Sequence, residues 1–131
     1  MTDPIADALA LARKPHTGPI EHASGGRADH VPLDVPAESF VIPADVVSGL
    51  GEGNTANGMA ILTRMFGKEE ARPEPGVPIM AAGGEFVIGP DAVKRVGGGD
   101  MKRGHSILSA FVKHARAETV KTMRKLKGPH R

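Results

Sequence analysis

The sequence predicts an α+β chain: two short strand–turn–helix repeats with much irregular chain, an N-terminal helical arm and a long basic C-terminal helix. Three observations carry that prediction. The first is a gapless duplication at a spacing of 46 residues. It pairs Val31 with Val77, Pro32 with Pro78, Phe40-Val41-Ile42 with Phe86-Val87-Ile88, Asp45 with Asp91 and Val47 with Val93, and it continues through Gly51/Gly97, Gly53/Gly99, Gly58/Gly104, Ile61/Ile107 and Leu62/Leu108. Turn formers and apolar anchors are what is shared, so the duplicated object is a folding unit. The second is local: each Phe-Val-Ile triplet has the β-branched and aromatic character of a strand, followed by an aspartate and then glycines. The third is charge. Residues 1–100 carry 8 basic and 14 acidic groups, whereas residues 101–131 carry 9 basic groups and the single acid Glu118.

Composition sets the scale. The chain has 131 residues, four Phe, no Trp and no Tyr, so a thin core is expected, because aromatic side chains dominate buried area. Its 17 Gly and 11 Pro predict short elements and ordered irregular chain, with part of the order supplied by neighbours. The absence of cysteine excludes disulfide scaffolds and thiolate metal sites. No apolar run approaches the roughly 20 residues of a membrane span, and the N-terminus lacks a signal-peptide pattern. The expectation is a soluble protein with no membrane partner, used inside a cell or packed into a particle made there.

Taken in order, Thr2, Asp3 and Pro4 suit a helix start, and Ile5, Ala8, Leu9 and Ala12 form a narrow apolar stripe that ends near Arg13-Lys14 before Pro15. That arm packs on the chain's own core or docks on a partner. Residues 15–37 read as extended chain without a regular element, because prolines and Gly25-Gly26 interrupt them. His16, His22 and His30 fall there as solvated loop histidines rather than as a metal frame. Ser39–Ile42 is a strand, Ala44 or Asp45 opens a brief helical turn, and glycines 49, 51 and 53 break it. Asn54 or Thr55 caps a second helix that carries Met59, Ile61, Leu62, Met65 and Phe66 into the core and closes at Gly67. Residues 68–76 are a charged, proline-bearing linker. Unit two repeats the pattern with Asp100 as cap, and its helix continues along Ile107, Leu108, Phe111, Ala115, Thr119, Met123 and Leu126 to Gly128-Pro129. The divisions are therefore 1–30, arm and extended segment; 31–67, unit one; 68–76, linker; and 77–131, unit two with the basic helix.

Few residues suggest chemistry. Gly51-Glu52-Gly53-Asn54-Thr55-Ala56 fits a loose dinucleotide-loop pattern, but the strand and βαβ context it needs are missing, and unit two breaks it. The glycines instead supply positive backbone dihedrals and close approach, and no cofactor is expected. Asp45 and Asp91 could form an acid–base pair, but two copies of one local context fit helix-start carboxylates better. No catalytic residue and no metal ligand is assigned, and the chain reads as non-enzymatic. The candidate contacts are of three kinds. Lys113, Arg116, Lys121, Arg124, Lys125 and Lys127 offer a cationic face to an acidic protein surface, to phosphates, or only to solvent. No aromatic platform accompanies them and no helix–turn–helix pair is read ahead of them. Phe40, Val41, Ile42, Phe86, Val87 and Ile88 are candidate assembly strands, whose unpaired edges would extend a neighbour's sheet. Ile107, Leu108, Phe111 and Met123 form the packing face of the long helix, which near Phe111 and Met123 would bury against a partner.

The Gly25-Gly26-Arg27 lead-in, the segment from Ser39 to Val47 with its glycines, and the second version from Ala81 to Ile88 closing on Gly98-Gly99-Asp100 and Gly104-His105 resemble small tailed-bacteriophage virion structural proteins, over roughly residues 25–127. The resemblance implies a non-enzymatic part of a virion, placed in the head, the head–tail junction or the tail. The implied partners are other virion structural proteins and further copies of the chain as a homo-oligomer. The alternative is an internal nucleic-acid-associated protein packaged or ejected with the genome. It supplies no catalytic residues.

Overall fold

A computed structural model describes residues 15–20, 31–69 and 75–126, with side chains of the last helix as far as Lys121. The expected arm helix, His22, His30, Gly25-Gly26, Lys127 and the Gly128-Pro129 stop lie outside the described residues, as do the side chains of Met123, Arg124 and Lys125. The elements run β1 (Gly18–Pro19), β2 (Val31–Val35), β3 (Phe40–Ile42), α1 (Ala44–Leu50), α2 (Thr55–Phe66), β4 (Val77–Ala81), β5 (Phe86–Ile88), α3 (Pro90–Val96) and α4 (Met101–Leu126).

Each strand of the repeat pairs with its own copy. β3 runs antiparallel to β5 with Val41 opposite Val87, and β2 runs antiparallel to β4 with Leu33 opposite Ile79. Both central pairs are repeat equivalents, so a pseudo-twofold axis passes through both ladders and neither unit can complete a sheet alone. β1 adds to the far side of β5, giving a sheet in the order β1-β5-β3 above a two-stranded β2–β4 ribbon. Strand alternation then sorts the side chains between two layers. Ile42, Phe86 and Ile88 join Val46, Val47, Leu62, Ala92, Val93, Leu108 and Val112 under the helices. Val87 joins Ile20, Val35 and Ala81 under the ribbon, with Val41, Leu33 and Ile79 at its margin.

The expectation of no regular element in residues 15–37 is corrected by β1 and β2. Pro32 is among the expected breakers, and Pro78 is its repeat counterpart in β4. They are tolerated because they stand opposite Met80 and Asp34 in a two-stranded ribbon, at positions whose backbone polar groups point away from the partner strand. The Asp34 carbonyl confirms that direction by accepting a 2.7 Å bond from the His16 amide beyond the ribbon's edge.

The duplication extends to individual hydrogen bonds. Gly53 N donates to Ser48 O at 2.8 Å and Gly99 N donates to Lys94 O at 2.8 Å; Gly58 N donates to Asn54 O and Gly104 N to Asp100 O. Asn54 and Asp100 are the caps, their side chains accepting from the amides of Asn57 and Arg103 at 3.0 and 3.1 Å. A Cβ at Gly58 would strike the Val47 carbonyl, and one at Gly104 the Val93 carbonyl. Glycine is required there because the two helices of each unit touch backbone to backbone. α3, a tight glycine turn and α4 follow one another as consecutive helices, as α1 and α2 do; the first helix of each pair is only seven residues long, too short to show a helical period.

In α4, Gly104, Leu108 and Val112 are buried and Phe111, Ala115 and Thr119 partly so. Ile107 is 39% exposed and lies off the face that packs on the chain's own core. At 100° per residue it stands on the flank of the face centred on Leu108, and Val112 takes the inward place instead. Met65, expected in the core, is 50% exposed in the last turn of α2, whereas Phe66 packs edge-on to Phe111 with ring centres 6.4 Å apart. Among the described residues no helix is long and apolar enough to cross a membrane.

Candidate interaction surface

The inward face of α4 fixes its outward face. Lys102, Lys113 and Val120 lie along one exposed flank, and Arg103, Ile107, His114 and Lys121 along the other. Arg116 falls nearer the body, and the structure separates it from the other cations. Its Nε donates to Asp45 Oδ2 at 2.8 Å and its Nη2 to Asp45 Oδ1 at 2.9 Å, a bidentate ion pair between α4 and the first turn of α1. The hydrogen bond from Arg116 holds the Asp45 carboxyl below its ordinary value; burial opposes it, and the Arg116 charge and the amides of residues 45 and 46 add to the lowering. The expectation that Asp45 serves backbone amides at a helix start is therefore part of its role; the larger part is Arg116, which comes from the other unit. Asp45 is tied to a structural cation rather than poised as an acid or base.

The equivalent helix start in unit two is served differently. Glu69 Oε1 accepts from the Ala92 amide at 2.7 Å, and Glu69 is itself pinned by Thr17. The Thr17 hydroxyl donates to the Glu69 carbonyl at 2.8 Å and accepts from the Glu69 amide at 3.1 Å. His16 has a local structural task, Nε2 donating to the Pro19 carbonyl at 2.8 Å. Among the described residues no cluster of three His, Asp or Glu side chains could hold a metal.

The two candidate assembly strands part company. Phe86, Val87 and Ile88 are buried in the middle strand, so that part of the assembly expectation is corrected: β5 has β1 on one side and β3 on the other, and no edge to offer. The interior place follows from residues 18–19, outside the repeat. Phe40, Val41 and Ile42 form the outer strand of the described sheet.

Beside that strand lies a site that sequence reasoning missed. An open depression of about 580 Å³ is lined by Glu38, Met101, Lys102 and His105. Glu38 stands at φ 69°, left-handed for a non-glycine residue, where its repeat counterpart is Gly84 at φ 92°. His105 holds it: Nε2 donates to the Glu38 carbonyl at 2.9 Å and lies 3.6 Å from its carboxylate, while the imidazole tilts against Phe40 at 5.9 Å. Next along the chain, Ser39 Oγ is buried with no hydrogen-bond partner among the described residues. The repeat alignment held the one available signal, a glutamate at the position where unit two has a turn glycine. A scan against family models, a search of curated proteins and a search of solved structures each gave no match to the chain.

Proposed function

We propose that this chain is a non-enzymatic structural subunit of a tailed-phage particle that acts by packing against other subunits, at the head, the head–tail junction or the tail. The observation that carries the reading is the outward surface of α4. As far as Thr119 its inner side packs on the chain's own core, and its outer side presents Lys113, His114 and Lys121, the last paired with Glu118 at 3.6 Å, beside exposed Ile107 and Val120. Cations interleaved with aliphatic side chains suit an acidic protein surface with an apolar centre. Arg124, Lys125 and Lys127 extend the same charge along the sequence. The acidic first hundred residues of another copy are one such surface.

Light scattering of the purified chain, alone and with the virion proteins encoded beside it, tests this. Assembly, and a stability that rises with protein concentration, are expected; a chain that stays at 13.7 kDa with all of them overturns it. A second reading, association with packaged nucleic acid, is favoured by one observation: α4 follows the short helix α3 across a tight glycine turn and exposes Lys102 and Arg103 in its first turn. Affinity for duplex DNA that falls steeply with added salt supports it, and no binding at low salt removes it.

A further inference from the structure

The two units are joined to each other differently from the way each is held together. Within a unit the closing contacts are between helices: the turns at Gly53 and Gly99 tie each pair, and Gly58 and Gly104 sit against the carbonyls of Val47 and Val93. Between units the contacts are the two ladders, the core and a few polar links. In both ladders the central residues, Val41 with Val87 and Leu33 with Ile79, stand opposite their own repeat equivalents. Unit one puts Ile42, Val46, Val47 and Leu62 into a core that unit two completes, with Phe86 and Leu108 among its residues. The Asp45–Arg116 and Glu38–His105 contacts cross the same boundary. A face that meets an equivalent face across a twofold axis is the geometry of an isologous dimer; here both faces belong to one chain.

We propose that this boundary also joins two copies of the chain, which exchange unit two. β3 and β2 of each copy pair with β5 and β4 of the partner subunit, in both directions, so the dimer is closed. Every contact across the boundary is remade between chains, and the cost is chiefly the freedom lost on association, which weighs less as concentration rises. Each half keeps its helix pair when the boundary opens, because the bonds that close the pair lie within the unit. The opened face of unit one fits unit two of its own chain and of another copy equally well, and this selects a second copy as the occupant. The connection is long enough. The Thr17 hydroxyl holds both backbone groups of Glu69 with the first half of the chain, so the crossing falls to the seven residues 70–76. With Pro73 and Pro75 among them, their sequence favours extended chain and a reach of about 25 Å. The outward surface of α4 takes no part in the exchange, which is independent of the proposed function.

Pro32 in unit one and Met80 in unit two are exposed and directly opposite each other in the ribbon. A pair whose backbone groups point away from each other brings its Cα atoms to about 4.5 Å, within disulfide range. The chain contains no cysteine, so Pro32→Cys with Met80→Cys makes a single reporter pair. The full-length variant is refolded at low and at high concentration, its monomer and dimer fractions are separated by size, and each is oxidised and run unfolded without reductant. The monomer fraction is expected to run as one chain. The dimer fraction is expected to grow with refolding concentration and to run as two chains covalently joined. A dimer that unfolds to single chains, each with its own disulfide closed, overturns the exchange, and so does a chain that forms no dimer at any refolding concentration. Covalent dimers from Pro32→Cys or Met80→Cys alone overturn it too, because they set like units against each other. The unsubstituted chain gives a second readout: its dimer should part on dilution no faster than the core unfolds, and faster separation overturns the exchange. The oxidised monomer can no longer exchange, so its assembly with other virion proteins tests the proposed function separately.

Discussion

Val41 and Val87 occupy the same place in the same Phe-Val-Ile triplet and face each other across one ladder. Val87 is fully buried while Val41 is partly exposed. The units agree in turn dihedrals, in caps and in the hydrogen bonds that close each helix pair. They differ in what lies outside the repeat: Gly18-Pro19 covers β5, the chain leaves α2 at Gly67 so that Glu69 can cap α3, and α4 runs on to place Arg116 against α1. Shared turn formers, caps and apolar anchors thus produced closely matching backbone, and unequal neighbours gave the copies unequal burial.

The sharpest test of that difference is a matched pair of truncations. Phe86→Ala removes a fully buried ring and is expected to cost about 3–5 kcal/mol. Phe40→Ala, at the partly covered edge, should cost roughly half as much, because part of its surface is already in water. Urea midpoints measure both, and equal losses would break the asymmetry. Glu38 offers a smaller effect of opposite sign. Glu38→Gly should stabilise by about 1 kcal/mol, since a left-handed residue gives way to the type used at Gly84 and the bond from His105 reaches only the backbone carbonyl. Destabilisation instead would mean that the Glu38 side chain has a task its twin lacks. Smallest is the α4–α1 ion pair. Because the Asp45 pKa is lowered on folding, its contribution is present above the ordinary carboxylate range and is lost as pH falls through the lowered value. Both partners are largely solvent-facing, so the effect is modest. Arg116→Ala should destabilise slightly at neutral pH and match the parent in acid; thermal melts across pH 2–7 check the convergence.

The duplication was legible because turns and caps are encoded within a few residues. Asn54 and Asp100 were readable as caps, Gly67 as a helix end, and the Phe-Val-Ile triplets as strands. β2 and β4 were not, because a strand with proline at its second position is acceptable only when its open side is known. Nor was the inward place of Val112 in preference to Ile107, since both lie within a broad apolar stripe and the phase of a helix is set by what it packs on. The Glu38–His105 contact joins residues 67 apart in sequence and carried no local trace beyond the missing glycine.

By itself the sequence determined the repeat, its turns, its caps and the basic helix that closes the chain, because short-range sterics and hydrogen bonding act over a few residues. Only the tertiary structure decided that each strand would pair with its own copy, that one triplet would be enclosed and the other left at an edge, and which lysines and arginines of α4 would remain available. Those outcomes depend on surfaces brought together across 46 residues or more, where no local preference reaches.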